Sequence, residues 1–314
     1  MDYGFKPRNC GSAVMGRILL IFILVGFSAS SFASSCCGQS PSSFTVLSLE
    51  QSFVLTSAYT YADSVGRVYD NGDFRVWNGD KHRDVKSLSL NLSGSFLSRH
   101  QWFAAMSFLE GEYSDSSISQ SSKNLSDTLL GYTFEALPEY RFSYWKPVVY
   151  LSALINVPTG KSTYETLDLG EGAGVTGHNQ WGLGVGMTLK KVYFPLSLTL
   201  QMKSLRIFPE TFGSVRVSGF YDNSIALLGN YSLGIQDLSI NGGVTTSQTT
   251  EKEISTTAGS SGKIEKTAVL FGIQKVFTDD WSGGLNYSDE TLLGDSKNTL
   301  LNRSYTLSFS RTYF

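Results

Sequence analysis

Three histidines, His82, His100 and His178, are the residues best suited to acid–base chemistry. Some strand walls known for hydrolysis carry a histidine with a serine two residues further on, a spacing that puts both side chains on one face. The residues two positions after the histidines are Asp84, Trp102 and Gln180, so a histidine followed by a serine at that offset does not occur. A serine–histidine–carboxylate set drawn from distant positions stays open, but no spacing points to one. Acidic residues gather at Asp70, Asp73 and Asp80 and at Asp279-Asp280. Solvated loop charge accounts for them, with a calcium site as the sharper reading. Gly170-Glu-Gly-Ala-Gly-Val-Thr-Gly177 is glycine-rich but lacks the strand-to-helix turn that phosphate cradling requires. Cys36 and Cys37 are adjacent and cannot close a useful loop together. No cysteine spacing suits zinc or a disulfide framework. The residues therefore point away from an enzyme and imply no metal and no cofactor.

The elements that carry these residues are more informative. The chain has 314 residues, of which 41% are hydrophobic and 17% charged, with a formal charge of −2. Near-neutral charge argues against a nucleic-acid partner held by phosphate neutralisation. Mean hydropathy is −0.07, and only one run is continuously apolar. Lys6, Arg8 and Arg17 precede the apolar core Ile18 to Phe27, and Ser31-Phe32-Ala33 offers small residues to a signal peptidase. Residues 1–33 are read as an export signal cleaved after Ala33, with Met15 as an alternative start. A lipid anchor on Cys36 is disfavoured, because Ala33-Ser34-Ser35 lacks the leucine usual three positions upstream. Residues 34–46 form a short periplasmic segment, and 47–314 form the main domain.

That domain alternates with period two. Leu88, Leu90, Leu92, Gly94 and Phe96 alternate with serines and Asn91. Similar rows are Val149 to Val157, Trp181 to Leu189, Leu196 to Met202 and Ile225 to Ile235. Each row is long enough for a tilted strand to cross a bilayer, and no mature segment reaches the ~20 apolar residues of a spanning helix. Short turns are expected near 98–100, 138–141, 192–194, 236–237 and 278–280. Long loops are expected near 63–84, 114–126, 158–178, 207–221, 249–263 and 290–301. Short and long alternate, so eleven connections join about twelve strands, the segment 207–221 being the hardest to divide. The fold class is all-β: a closed antiparallel up-and-down transmembrane β-barrel of the bacterial outer membrane. Trp102, Tyr140, Trp145, Tyr193, Phe194, Phe277 and Trp281 lie beside short turns, and Tyr59, Tyr61, Tyr113 and Tyr287 near long loops. Two interfacial girdles are expected from them. The chain ends Tyr305-Thr-Leu-Ser-Phe-Ser-Arg-Thr-Tyr-Phe314, an alternating last strand that fits recognition by the barrel assembly machinery. Its apolar row is interrupted by Arg311 and is out of phase with Phe314.

One motif carries a resemblance. Asn156-Val-Pro-Thr-Gly-Lys161 ends a strand, passes through Gly170-Glu171-Gly172 and returns at Asn179-Gln-Trp-Gly-Leu-Gly-Val-Gly186. This resembles the outer-membrane family named for the meta-pathway of phenol degradation, itself similar to long-chain fatty acid channels. Cys36-Cys37-Gly38 fits the same resemblance. The resemblance implies passage of small, often hydrophobic compounds and supplies no binding residues. Fatty acid channels have more strands and a larger N-terminal plug than this chain offers.

If the apolar rows face lipid, the other rows line a lumen. Its charged and polar candidates are Glu110, Glu112, Lys190, Gln201 and Lys203, with Trp102 and Phe108 on the same row as the two glutamates. Twelve strands with small interior residues should enclose a narrow wet pore, gated by folded-in loops or by the mature N-terminus. The expected function is passive uptake of a small molecule. A closed barrel whose loops bind a partner is the alternative.

Overall fold

The computed structural model describes residues 46–47, 51–77, 79, 81–165, 171–234, 237–255, 259–294 and 296–314. The expected export signal, Cys36, Asp80 and Gly170 lie outside the described residues, as does all of 34–46 except Val46. Among the described residues every regular element is a strand.

Twelve strands form the ring. They are β1 Phe53–Val68, β2 His82–Leu97, β3 His100–Ser114, β4 Thr128–Leu137, β5 Val148–Val157 and β6 Gly182–Tyr193. The second half is β7 Leu196–Ile207, β8 Phe220–Ser232, β9 Leu238–Thr249, β10 Ile264–Val276, β11 Trp281–Asp289 and β12 Thr299–Tyr313. Each pairs antiparallel with its neighbours in sequence, and β1 pairs with β12 from Phe53↔Tyr313 to Val68↔Thr299. The sheet thus has no free edge, as a strand wall in lipid requires. Six short strands stand outside the ring. Phe74–Val76 extends β1, Ser119–Leu125 pairs with β3, and four more form a separate patch from 210 to 260.

The expected alternation of short and long connections holds throughout. Val215–Val217 belongs to the separate patch, so the uncertain segment 207–221 adds nothing to the ring. Two boundaries shift. β1 and β2 run well into the expected loop 63–84, because their ladder continues past the apolar residues. The turn after β4 spans 138–147 rather than 138–141, and carries Tyr140, Phe142, Tyr144 and Trp145 exposed on its surface.

The wall has two chemical faces. Leu88, Leu90, Leu151, Ile155, Leu183, Val185, Leu227, Leu285 and Leu307 are exposed, although they are apolar. Their row neighbours Ser87, Ser89, Ser152, Thr188 and Thr306 are buried. A soluble sheet reverses this arrangement; an outward greasy belt is what a bilayer stabilises. Trp102, Trp145, Phe194, Phe277 and Trp281 ring the short-turn end, with Arg311 stacked on Trp281 and Tyr313. Tyr59, Tyr61, Tyr287 and Tyr305 mark the other interface. Tyr113, expected there, is instead buried inside and donates its hydroxyl to Asp115.

Candidate functional site: the bridged lumen

The inner face is identified by what touches it. A methyl group built on Gly111 would sit 2.6 Å from the Ala173 carbonyl, which belongs to the loop between β5 and β6. On β3, therefore, the odd-numbered residues point inward: Gln101, Phe103, Ala105, Leu109, Gly111 and Tyr113. Trp102, Phe108, Glu110 and Glu112 point outward, which corrects the expected pore lining. Phe108 shares a row with Leu88 and Tyr59 on the paired strands. Glu110 and Glu112 misled because β3 outlasts the membrane. Above the apolar belt the outer face is wet, and there Lys123 pairs with Glu110 at 2.7 Å and Lys86 with Glu112 at 3.3 Å.

Lys190, Gln201 and Lys203 occupy inward positions on β6 and β7. Thr188, two residues before Lys190, and Gln201 are both buried. Lys203 is buried and bonds Asp222 of β8 at 3.0 Å. The inner wall also holds bulk that the sequence reading missed. Phe103, Ala105, Leu129, Leu154, Leu205, Ile207 and Phe220 form one apolar cluster across β3 to β8. Gly131 makes room for it, since any side chain there would overlap the Phe103 ring. Across the lumen the wall is polar. Thr60 bonds Thr306 at 2.9 Å and Ser64 donates to Asn302 at 2.7 Å. The bore thus has an apolar side and a hydroxyl-rich side.

Two chain segments enter it. Val46 packs on the apolar cluster. Leu47 is buried, its N–H donating to Gln101 Oε1 at 2.9 Å and its carbonyl accepting from Gln101 Nε2 at 3.0 Å. The second segment is residues 171–181 of the loop 158–181, among which Ala173, Val175, Thr176, His178 and Gln180 are buried. It is clasped at its stem and at its tip. At the stem, the buried Asp127 carboxylate accepts from the backbone N–H of Gly160 (3.0 Å), His178 (2.7 Å) and Asn179 (3.3 Å). Burial pushes the Asp127 carboxyl above its usual range, and the amide donors oppose that rise. Thr176 adds a hydroxyl bond to the Leu125 carbonyl at 2.7 Å. At the tip, Arg67 Nη1 bonds Glu171 Oε2 at 2.7 Å, and buried Arg83 donates to the Gly172 carbonyl at 3.2 Å. Asp127 lies beside β4, Ala173 against Gly111 of β3, and Arg67 and Arg83 on β1 and β2, so the loop folds inward along the four neighbouring strands of one side of the mouth.

The loop does not fill the mouth. Beside it lies a cavity of about 450 Å³, lined by Arg67, Tyr164, Glu171, His178, Lys252 and Leu300 among others. Phe220 anchors one side: His178 meets its edge at 4.9 Å and Lys252 Nζ lies 4.1 Å above its face. Burial, then the charges of Lys252 and Lys203, hold the His178 imidazole well below its ordinary pKa, so it is neutral at pH 7. Gly172 and Gly177 of the glycine-rich segment lie at the two clasps, where a methyl group built on Gly177 would sit 2.6 Å from Asp127 Oδ1. His82 and His100 are scattered: His82 faces Asp63 and Asp84, and His100 bonds Tyr132. The described residues hold no group of three or more His, Cys, Asp or Glu side chains placed to bind a metal.

The overall shape matches a known one. An outer-membrane channel of Pseudomonas putida F1 superposes with a TM-score of 0.66 at 16% identity, covering 88% of this chain and 100% of that one. The fold is that of a bacterial outer-membrane barrel. At that identity the likeness speaks for the fold alone. The NanC porin (TM-score 0.46, 12% identity, 82% and 100% covered) and the CymD monoaromatic hydrocarbon channel (0.43, 9%, 84% and 89%) are looser likenesses and carry nothing further. No family model and no curated protein matches the sequence.

Proposed function

We propose that this barrel is a narrow outer-membrane channel for small organic molecules, closed in the described state by the loop 158–181 and the segment at Leu47. The observation that carries this reading is the amphipathic bore. A barrel serving only as a wall could fill its interior with uniform side chains. Here an apolar strip from Phe103 to Phe220 faces a polar one at Thr60, Ser64 and Thr306, and a cavity opens above both. Lys190, Gln201 and Lys203 line the bore in this reading. A solute with an apolar body and a polar end meets a matching surface on each side. Outer-membrane lipid surrounds the greasy belt, and the assembly machinery inserts the barrel through its final strand.

The test is planar-bilayer conductance of the purified protein and of a variant lacking residues 162–176. The full-length protein should give small or intermittent current steps, and the shortened one larger, steadier steps. A second reading, a permanently closed surface-binding barrel, draws on the double clasp of the loop. It requires that both proteins stay silent, and that silence in both would overturn the channel.

A further inference from the structure

The cavity at the mouth contains a carboxylate supplied by the protein itself. Glu171 reaches from the loop to Arg67 on the wall at 2.7 Å. The Arg67 guanidinium is 39% exposed at its side chain, so it is reachable from the mouth. A second cation, Lys252, lines the same cavity, while His178 contributes no charge at neutral pH. Among the described residues that line it, Arg67 and Lys252 are the cations and Glu171 is the anion, so displacing Glu171 from Arg67 removes negative charge from beside the guanidinium. Tyr164, Ile264 and Leu300 supply apolar surface beside these charges. A volume near 450 Å³ suits a molecule of about ten to fifteen heavy atoms rather than a polymer.

We propose that this cavity is a capture site for small monocarboxylates with an apolar body, and that the solute carboxylate replaces Glu171 on Arg67. The exchange is one ion pair for another, with no bond made or broken covalently. Arginine offers a planar fork that either carboxylate fits, so the exchange is close to balanced in energy. Its consequence is mechanical. Arg67 and Arg83 both hold the loop tip, and displacing Glu171 removes the Arg67 clasp while the Arg83 bond to Gly172 stays. The Asp127 clasp at the stem is untouched. Solute binding thereby loosens the tip of the loop that closes the bore. This rests on the channel reading for its outcome, but the site itself is testable by binding alone.

The probe is sodium benzoate, with benzyl alcohol as its neutral counterpart, titrated calorimetrically into the detergent-solubilised protein. Benzoate should bind about tenfold or more tighter than benzyl alcohol. Glu171→Gln, which removes the internal competitor, should tighten benzoate several-fold, and Arg67→Gln should abolish the preference. Heat-modifiable gel mobility checks that each variant is folded; should Arg67→Gln fail, Glu171→Gln alone decides. Equal affinity for the two probes, or benzoate affinity unmoved by Glu171→Gln, overturns the proposal. Potassium chloride conductance is measured in parallel without benzoate. Current without charge-selective binding defeats the site and spares the channel; charge-selective binding without current does the reverse.

Discussion

At Gly131 the backbone passes directly beneath the Phe103 ring, and that contact shows how tightly the inner wall is packed. Gly131→Ala should destabilise the barrel by about 1–3 kcal/mol, as overpacking does. The check is the urea midpoint of refolding into lipid vesicles, with Gly79→Ala, where nothing lies within 4 Å, as the contrast for space alone. Asp127 is the second decisive residue. Asp127→Ala leaves three backbone amides without their acceptor, at about 1–3 kcal/mol for each one that stays buried. Since that energy fastens only the loop, the expected result is faster proteolysis within 158–181 with barrel mobility on gels unchanged. Asp115 behaves differently. The N–H groups of Ser117 and Ile118, with two hydroxyl donors, hold its carboxyl down to about 2. Its depressed value means the turn at 115–118 is supported above the ordinary carboxylate range and loses that support only as pH falls towards 2. An NMR titration of the Asp115 carboxyl should show that late transition.

Each strand combines a membrane-crossing stretch with an extension into water, and the two obey different rules. Leu90 lies midway along β2 on the exposed face. Leu90→Arg should cost about 2–4 kcal/mol in folding into vesicles, while Ser89→Asn on the inner face should cost far less. The same distinction explains what the sequence showed and what it hid. On β2 and β6 one row is plainly apolar and the other is small or polar, so the phase of Leu90 and Val185 could be read directly. β3 has Trp102 beside Phe103 and Phe108 beside Leu109, apolar on both faces. Only Glu110 and Glu112 broke the tie, and they lie past the belt, where outward charge is solvated. The inner apolar cluster was invisible for the same reason, because alternation assigns polarity to the lumen and Phe103, Leu129 and Leu205 depart from it. The loop 158–181 obeys a pH rule. His178 has a pKa lowered below that of the unfolded chain, so the unfolded form binds protons first and stability is lost as pH falls below about 6.5. Loop cleavage by protease should therefore rise between pH 7 and 5, and His178→Gln should flatten that rise.

The whole molecule is a ring closed by the fifteen paired positions of β1 and β12, with lipid outside and a bore bridged by its own chain inside. Closure was legible from the even number of strands and the alternating loop lengths. A folded-in loop was expected too, but its clasps were not legible, because Asp127, Arg67 and Arg83 lie far from the loop in sequence and meet it only once the ring exists. The most direct measurement is depth- and phase-resolved accessibility of spin labels in vesicles. Single cysteines would be placed at positions 89, 90, 108 and 109, with Cys36 and Cys37 replaced by serine. Labels at Leu90 and Phe108 should collide with oxygen dissolved in lipid, and labels at Ser89 and Leu109 should be shielded from it. Lipid contact at Ser89 and Leu109, or water contact at Leu90, would contradict the two-faced wall on which the channel depends.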